Sequence, residues 1–459
     1  MNSKMNSTLK IHIDSSEIKH PNGFHSDQLG FTFRWNGHFL RGILPESADI
    51  AKRYFECGFI DEICGKGMFP KTWISEYENE EFAFIIEHEM MTPLLYATDW
   101  NFSMLRDAAA LVLDIAKIAK KYGYNMIDCH KLNVMFKYGK PMYVDLGSFI
   151  LCGEGTAAWR PYLSFLRSYY YILDIWHKGA GQIAKRSMTP GVEFPSNDYH
   201  LWKYLIWRWL PKSMNRCFAF KESIHALAST DYQNIVAKTK GRSKWIQKAS
   251  LFAKRAINTL KPIKSQRQVS LDLMARKIRR MSIGSVSLVN NPTFNQALVE
   301  AINSYAKGTT VTIFEPNSST LLEAVLSKTP VVGIIAVHEN DVLSDTVYEY
   351  VKKNNLAVTC TYYQISEGGL LIRGRYPEDR LKSDIVVVAN YHVQNGLRGV
   401  KSTEWFISER MKYSISGILF FVAPTGREDL FCALEEQYDV RRIAIPNESY
   451  CCLVINKNN

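Results

Sequence analysis

The feature that most constrains the fold is an alternation of apolar strands and helical segments, which begins near residue 293 and continues to the end of the chain. Most of the strands are uninterrupted apolar runs, so both of their faces are expected to be buried. Parallel strands covered by helices on both sides have this pattern. The predicted strands are 310–315, 331–337, 356–362, 384–390, 417–423, 440–445 and 450–455.

The last two predicted strands are separated only by the segment Pro446 to Ser449. A helical crossover does not fit into so short a connection, so these two strands are expected to pair antiparallel. Six strands that alternate with helices and close with such a hairpin resemble the class I S-adenosylmethionine-dependent methyltransferase fold, a Rossmann-like α/β fold. The resemblance implies an S-adenosylmethionine site next to the first two of these strands.

The turn after the first of these strands, which runs from Phe314 to Ser319, contains no glycine. Class I methyltransferases have glycines here, because glycine lets the backbone approach the cofactor closely. By the resemblance, Glu315 in this turn and Glu339 after the second strand are the candidate cofactor-binding residues. Two interpretations stay open: a divergent S-adenosylmethionine site, or a scaffold that has lost its cofactor.

The first half of the chain has a different pattern. Asn36-Gly37 is a tight-turn signal between two β-prone runs and predicts a hairpin over 30–44. A short helix is expected over 47–57, with Ser47 as its N-cap, and a buried strand over 82–88. Apolar residues at helical spacing predict a long helix from about 103 to 121, which Gly123 ends.

The most informative stretch follows that helix. Asp128, His130 and Asn133 form an Asp-x-His-x-x-Asn pattern, and after a turn at Gly139 comes Asp145-Leu-Gly. Phosphoryl transfer needs a carboxylate at the attacking hydroxyl, and an amide and a second carboxylate on Mg²⁺. The pattern resembles the catalytic loop of aminoglycoside and choline kinases, and so implies a protein-kinase-like α+β fold. By that resemblance Asp128 is the catalytic base, and Asn133 and Asp145 hold Mg-ATP.

The resemblance has gaps upstream of this loop. No Gly-x-Gly-x-x-Gly loop precedes the first hairpin, and Arg41 stands where kinases of this type have a phosphate-binding lysine. Glu56 on the following helix is the candidate ion-pair partner of Arg41. A divergent kinase and a pseudokinase both remain open.

Charge is concentrated in one segment. Residues 201–280 contain 19 Lys and Arg but three acidic residues, a net charge of +16, whereas the whole chain carries +11. The same segment contains four tryptophans, which suit the headgroup depth of a membrane. We expect an anionic partner, with a lipid surface or glycan ahead of nucleic acid, for which no motif is present. Solvated helices with core tryptophans are the alternative.

Composition and length complete the prediction. With 459 residues, 46% of them hydrophobic, the chain is expected to form several globular domains. No apolar run reaches the roughly 18 residues that span a bilayer, and no signal peptide is recognised. The nine scattered cysteines indicate reduced thiols in a cytosolic protein, without a zinc site. The predicted division is an extension, 1–25, a kinase-like domain, 26–260, a basic linker, 261–290, and a methyltransferase-like domain, 291–459.

A kinase-like unit followed by a methyltransferase-like unit resembles bacterial proteins of surface-polysaccharide modification, of the nodulation and O-antigen type. That resemblance implies a carbohydrate or lipid-linked glycan substrate at the inner face of the membrane. The leading hypothesis is a phosphotransferase. The alternatives are an S-adenosylmethionine-dependent methyltransferase of surface glycans and a non-catalytic pseudoenzyme scaffold.

Overall fold

The structure is a computed structural model of the chain. It describes residues 10–18, 26–152, 161–188, 193–209, 271–288, 292–305, 308–316, 318–362, 381–389, 400–445 and 450–457. Within these ranges the chain forms two large sheets, one of five strands and one of seven, together with three small two-stranded sheets.

The first half of the chain contains eleven strands among its described residues. They are β1 (Ile11–His12), β2 (Ser26–Asp27), β3 (Gly30–Trp35), β4 (His38–Ile43), β5 (Thr72–Ile74), β6 (Tyr77–Glu78), β7 (Phe84–His88), β8 (Tyr124–Met126), β9 (Val134–Lys137), β10 (Lys140–Tyr143) and β11 (Phe149–Leu151). The five-stranded sheet has the order β2-β3-β4-β7-β5 and is antiparallel throughout. The predicted hairpin is confirmed, because β3 and β4 pair around Asn36 and Gly37, which both have positive φ.

The same half contains seven α-helices among its described residues. They are α1 (Ala48–Glu56), α2 (Phe59–Gly65), α3 (Phe102–Lys121), α4 (Tyr162–Phe165), α5 (Tyr171–His177), α6 (Gly181–Arg186) and α7 (Ser196–Trp209). Asn101 caps α3 by accepting the N–H of Met104 at 2.9 Å, and Gly123, with φ +78°, follows its end. Most of α3 is buried, and its apolar residues belong to a hydrophobic core that continues into the second half.

Ser47 precedes α1, as predicted, but it does not cap that helix. Its hydroxyl donates instead to the carbonyl oxygen of Gln28, at 2.5 Å. The predicted cap is therefore wrong, because a tertiary hydrogen bond has taken the hydroxyl group away from the helix.

The second half contains the seven-stranded sheet. Its strands are β12 (Thr310–Phe314), β13 (Gly333–His338), β14 (Val358–Tyr362), β15 (Ser383–Val388), β16 (Ser414–Pro424), β17 (Tyr438–Ala444) and β18 (Tyr450–Lys457). The order in the sheet is β14-β13-β12-β15-β16-β18-β17. β18 runs antiparallel to both of its neighbours, β16 and β17, and all the other neighbouring strands are parallel. The predicted terminal hairpin is therefore confirmed. Apart from the inserted β18, this is the strand order of a Rossmann-like sheet.

The remaining helices of the described residues are α8 (Leu271–Arg279), α9 (Pro292–Asn303), α10 (Ser319–Lys328), α11 (Asp341–Asn354), α12 (Val400–Met411) and α13 (Glu428–Glu435). Of these, α9 to α13 alternate with the strands of the seven-stranded sheet. By contrast, α8, from the predicted linker, lies on α3: Lys117 forms an ion pair with Asp272 at 2.7 Å.

The two halves are in direct contact through α3 and α11. Asn101 donates to the backbone and side chain of Ser344, both at 3.1 Å. Asp345 accepts the backbone N–H of Ser103 at 2.6 Å and its hydroxyl at 2.9 Å. Because these groups are buried and mutually hydrogen-bonded, the contact resembles a domain core more than a loose surface contact.

Candidate functional site

The hairpin formed by β9 and β10 brings the predicted magnesium ligands together. Asn133 immediately precedes β9, and Asp145 follows β10 by two residues. The Asn133 side-chain nitrogen donates to Asp145 Oδ2 at 3.1 Å, and the backbone N–H of Val144 donates to the Asn133 carbonyl at 2.9 Å. The Asn133 amide oxygen, the atom that would ligate a cation, is not engaged in the bond to Asp145.

Asp128 is joined to the same cluster through a buried phenol. The hydroxyl of Tyr143 donates to the backbone oxygen of Asp128 at 2.9 Å and accepts from the Asn133 side chain at 3.3 Å. Tyr143 is fully buried, and this burial raises the pKa of its phenol well above the ordinary range. The phenol therefore stays protonated and fixes the backbone at Asp128 relative to Asn133.

The carboxylate of Asp128 pairs with His130. His130 Nε2 lies 3.0 Å from Asp128 Oδ2, and the side chains of both residues are 40% exposed. Burial alone would raise the pKa of Asp128, but the His130 side chain and the backbone N–H groups of Cys129 and His130 together hold this pKa below its usual value. Burial alone would lower the pKa of His130, but Asp128, with smaller contributions from Asp145 and a backbone hydrogen bond, raises it. Asp128 is thus an accessible, ionised carboxylate at neutral pH.

Asp145 is fixed by the turn that follows it. Its Oδ1 accepts the backbone N–H of Gly147 at 3.1 Å, and Ser148 donates its hydroxyl to Oδ2. Tyr143 and Ser148 are functional candidates that the sequence motif did not include. The sequence signal that could have identified them is their closeness to Asp145: Tyr143 ends β10, and Ser148 lies in the turn that follows Asp145.

Oxygen ligands of this kind suit Mg²⁺, which is typically held by one or two carboxylates together with substrate phosphates and water. No group of three or more His, Cys, Asp or Glu residues with metal-binding geometry occurs in the part of the chain that the structure describes. Asn133 and Asp145 offer oxygen atoms of the type that Mg²⁺ accepts, and a cation there would need further ligands, such as water or phosphate oxygens.

Arg41 and Glu56, the predicted phosphate-binding pair, differ in burial. Arg41 lies in the middle of β4 and is 5% exposed, while Glu56 is exposed at the last residue of α1. Burial lowers the pKa of the neighbouring His88 to about 3, and the positive charge of Arg41 contributes to that shift. The pairing of Arg41 with Glu56 stays a prediction.

In the second half, Glu315 and Glu339 lie together at the carboxyl ends of β12 and β13. Glu315, which has φ +54°, accepts the backbone N–H of Glu339 at 2.5 Å. Strand order reverses at β12, which lies between β13 and β15. In open α/β sheets such a switch point is where ligands bind.

The carboxylate of Glu339 already has a protein partner. Arg410 Nη2 donates to Glu339 Oε1 at 3.1 Å, and the guanidinium carbon lies 4.1 Å from the ring centre of Phe406. The Arg410 side chain is only 3% exposed. A ribose at this place would have to compete with Arg410 for Glu339, so these acids fit S-adenosylmethionine only in part.

The predicted anionic surface lies mostly outside the described residues, because 210–270 are not among them. Trp202 of that segment is buried in the hydrophobic core, at 6% exposure, so this tryptophan is a packing residue. In the described ranges, no helix is both long enough and apolar enough to cross a bilayer.

Comparisons with known proteins place the chain in no family. No protein-family model matches it, and no curated protein matches it. About two fifths of the chain, in its C-terminal part, resembles solved class I methyltransferase structures.

Three of these structures are given as examples. M. capricolum TrmK in complex with S-adenosyl-homocysteine has 15% identity over 37% of this chain and 70% of its own, with a TM-score of 0.27. The ribosomal protein L11 methylase from Lactobacillus delbrueckii subsp. bulgaricus has 16% identity over 37% of this chain and 81% of its own, with a TM-score of 0.28. Precorrin-6y C5,15-methyltransferase from Geobacter metallireducens GS-15 has 14% identity over 38% of this chain and 93% of its own, with a TM-score of 0.27.

Proposed function

We propose that the chain is a magnesium-dependent phosphotransferase whose active site lies in its first half. One observation carries the proposal: the β9–β10 hairpin holds Asn133 3.1 Å from Asp145, and Tyr143 fixes Asp128 to the same cluster. Two ligands for a phosphate-bound cation and one ionised carboxylate are the groups that phosphoryl transfer requires.

The arrangement of secondary structure around this cluster supports the same proposal. An antiparallel five-stranded sheet, with α1 and α2 between its third and fourth strands, precedes the long helix α3. The candidate catalytic loop then leads into the hairpin, and β11 returns to pair with β8. This is the element order expected of a kinase-like fold. The proposed acceptor, a hydroxyl of a carbohydrate or lipid-linked glycan, rests on the sequence resemblance alone.

In the proposed reaction the chain's own residues have separate tasks. Asn133 and Asp145 would hold Mg²⁺ on the nucleotide phosphates, and the bound cation would neutralise charge on the transferred group. The carboxylate of Asp128 would orient the acceptor hydroxyl and take its proton. His130 keeps that carboxylate ionised through the 3.0 Å pair.

The first test is calorimetric titration of ATP, with and without Mg²⁺, into the full-length protein. Asp145→Asn keeps the size of the side chain and removes its charge, so Mg²⁺-dependent binding should be lost. Asp61→Asn, an exposed aspartate on α2, is the matched control and should bind like the wild type. Absence of Mg²⁺-dependent nucleotide binding by the folded wild type would refute the proposal.

The second test separates binding from chemistry. Asp128→Asn should retain Mg²⁺-dependent ATP binding but lose phosphate transfer to a panel of glycan and lipid-linked glycan acceptors. If Asp128→Asn transfers phosphate at the wild-type rate, Asp128 is not the base. If no acceptor in the panel is phosphorylated although ATP binds, the glycan assignment fails and the nucleotide site stands.

A second candidate function, methyl transfer from S-adenosylmethionine, is favoured by the order of the seven-stranded sheet and by the two acids at its switch point. Titration of S-adenosyl-homocysteine into the wild type and Glu339→Gln tests it. Binding that weakens in Glu339→Gln but survives in Asp145→Asn would support this candidate. No binding at millimolar ligand would remove it, and if ATP binding also failed, the scaffold interpretation would remain.

A further inference from the structure

The hairpin that joins the candidate metal ligands is seated on the second half of the chain. Its tip is formed by Tyr138 and Gly139, both with positive φ. A Cβ atom added at Gly139 would lie 3.3 Å from Val351 Cγ1 of α11 and 3.9 Å from the backbone of Lys352. The tip and α11 are therefore in close contact, with no room for an intervening side chain.

Tyr348 is the residue of α11 that makes the polar contact with this tip. Its hydroxyl lies 3.0 Å from the carbonyl oxygen of Gly139 and 3.0 Å from Asp107 Oδ2, so its single hydrogen has an acceptor on either side. The ring also meets Phe136 of β9 edge-on, with 6.2 Å between ring centres. Tyr348 is fully buried, and burial raises the pKa of its phenol well above the ordinary range, so the hydrogen is retained.

Charged side chains keep Asp107 in place beside the phenol. Arg106 donates to Asp107 Oδ1 at 3.0 Å and also pairs with Glu349 of α11, while Lys352 donates to Asp107 Oδ2. These contacts connect α3 to α11 next to Tyr348. The phenol is thus held by a fixed carboxylate on one side and contacts the hairpin on the other.

We propose that Tyr348 is a positioning residue for the phosphotransfer site, although it lies in the methyltransferase-like half of the chain. The hairpin has only two strands, and an isolated two-stranded ribbon is marginally stable in water. Its base carries Asn133 and Asp145, and its tip is held by Tyr348. Fixing the tip restricts twisting of the ribbon, and so preserves the spacing of the two ligands. The inference rests on the proposed function.

The test compares three variants of the full-length protein. Tyr348→Phe removes only the hydroxyl group. Tyr350→Phe is the matched control, because that tyrosine lies on the same helix and its hydroxyl donates to Glu323, away from the hairpin. Ser344→Ala removes a hydrogen-bond partner of Asn101 in the same interface, without touching the hairpin. The measurements are the Kd of ATP with and without Mg²⁺, the Tm, and hydrogen–deuterium exchange of residues 134–143.

We expect Tyr348→Phe to weaken Mg²⁺-dependent ATP binding about fivefold, as the loss of one buried hydrogen bond would, and to speed exchange in residues 134–143. Tyr350→Phe and Ser344→Ala should keep the wild-type Kd, even where Ser344→Ala lowers the Tm.

Three outcomes would overturn the inference. A wild-type Kd and wild-type exchange in Tyr348→Phe would show that the hydroxyl does not position the ligands. Equal loss of binding in Ser344→Ala would indicate general damage to the interface. If the wild type itself does not bind Mg-ATP, the proposed function fails and this inference fails with it, which the wild-type titration alone reveals.

Discussion

The clearest quantitative prediction concerns Asp345, which lies in the contact between α3 and α11. Burial raises the pKa of this carboxyl from its ordinary value of 3.8 to about 7, although two hydrogen bonds from Ser103 and the charge of Arg106 oppose the shift. Glu349 adds to it. Because the folded state binds this proton more tightly than the unfolded state, the stabilisation is complete below about pH 4 and is lost as the pH rises to 7.

The size of the effect follows from the shift. One pKa unit corresponds to about 1.4 kcal/mol, so the free energy of unfolding should fall by ~1.4 kcal/mol for each pH unit between the two pKa values. From pH 5 to pH 8 the loss attributable to Asp345 is therefore about 3 kcal/mol. For a domain of roughly 150–250 residues, this loss of free energy corresponds to a Tm lower by roughly 6–12 °C.

Asp345→Asn tests the reasoning, because an amide can accept the Ser103 N–H and donate to the Ser103 hydroxyl without a charge. Thermal unfolding of wild type and variant at pH 5 and pH 8 gives two differences in Tm. The wild type should lose several degrees more than Asp345→Asn between the two pH values. Asp439→Asn, an exposed position on β17, is the control. Equal pH dependence in the wild type and Asp345→Asn would refute the assignment.

Three further predictions concern packing, and thermal denaturation checks each of them. Gly42→Ala should destabilise the first half by about 1–3 kcal/mol, because its Cβ would lie 2.4 Å from the Phe82 ring; an unchanged Tm would contradict this. Ile115→Ala, at a fully buried position of α3, should cost about 2–5 kcal/mol; a loss below 1 kcal/mol would mean that the site collapses around the change. Arg410→Lys should lower the Tm of the second half, because lysine keeps the charge but loses the planar stacking; a wild-type Tm would show that stacking adds nothing.

The second sheet was predictable from sequence because its central strands are buried on both faces. The run at 384–390 predicts β15, observed at Ser383–Val388, and the four-residue connection before 450 predicts the antiparallel β18. Such strands appear as continuous apolar segments, and the pattern is local. The hairpin at Asn36-Gly37 was predictable for the same reason, since turn geometry depends on the two residues themselves.

The contacts that define the candidate sites were not predictable in the same way. Arg410 meets Glu339 across 71 positions, and Tyr348 meets Gly139 across 209. No local periodicity records such pairs, because they arise only when whole elements pack together. Ser47 fails as a cap for a related reason: a distant carbonyl competes for its hydroxyl. Asn133 and Asp145, which one hairpin joins, could be grouped from spacing, together with Asp128, which lies shortly before Asn133 in the sequence.

The two halves are also in contact at the edge of the second sheet. β14 is an outer strand, and the outer edge of a sheet presents unpaired backbone groups that invite association. Lys185 of α6 donates to the carbonyl oxygen of Tyr362, and Thr361 donates to that of Asp99 at 3.2 Å. Both Lys185 and Asp99 belong to the first half, which therefore contacts the end of β14. A separate contact joins α11 to the hairpin tip through Tyr348. The second half would therefore contribute to the proposed phosphotransfer site through its fold, whether or not it binds a cofactor of its own.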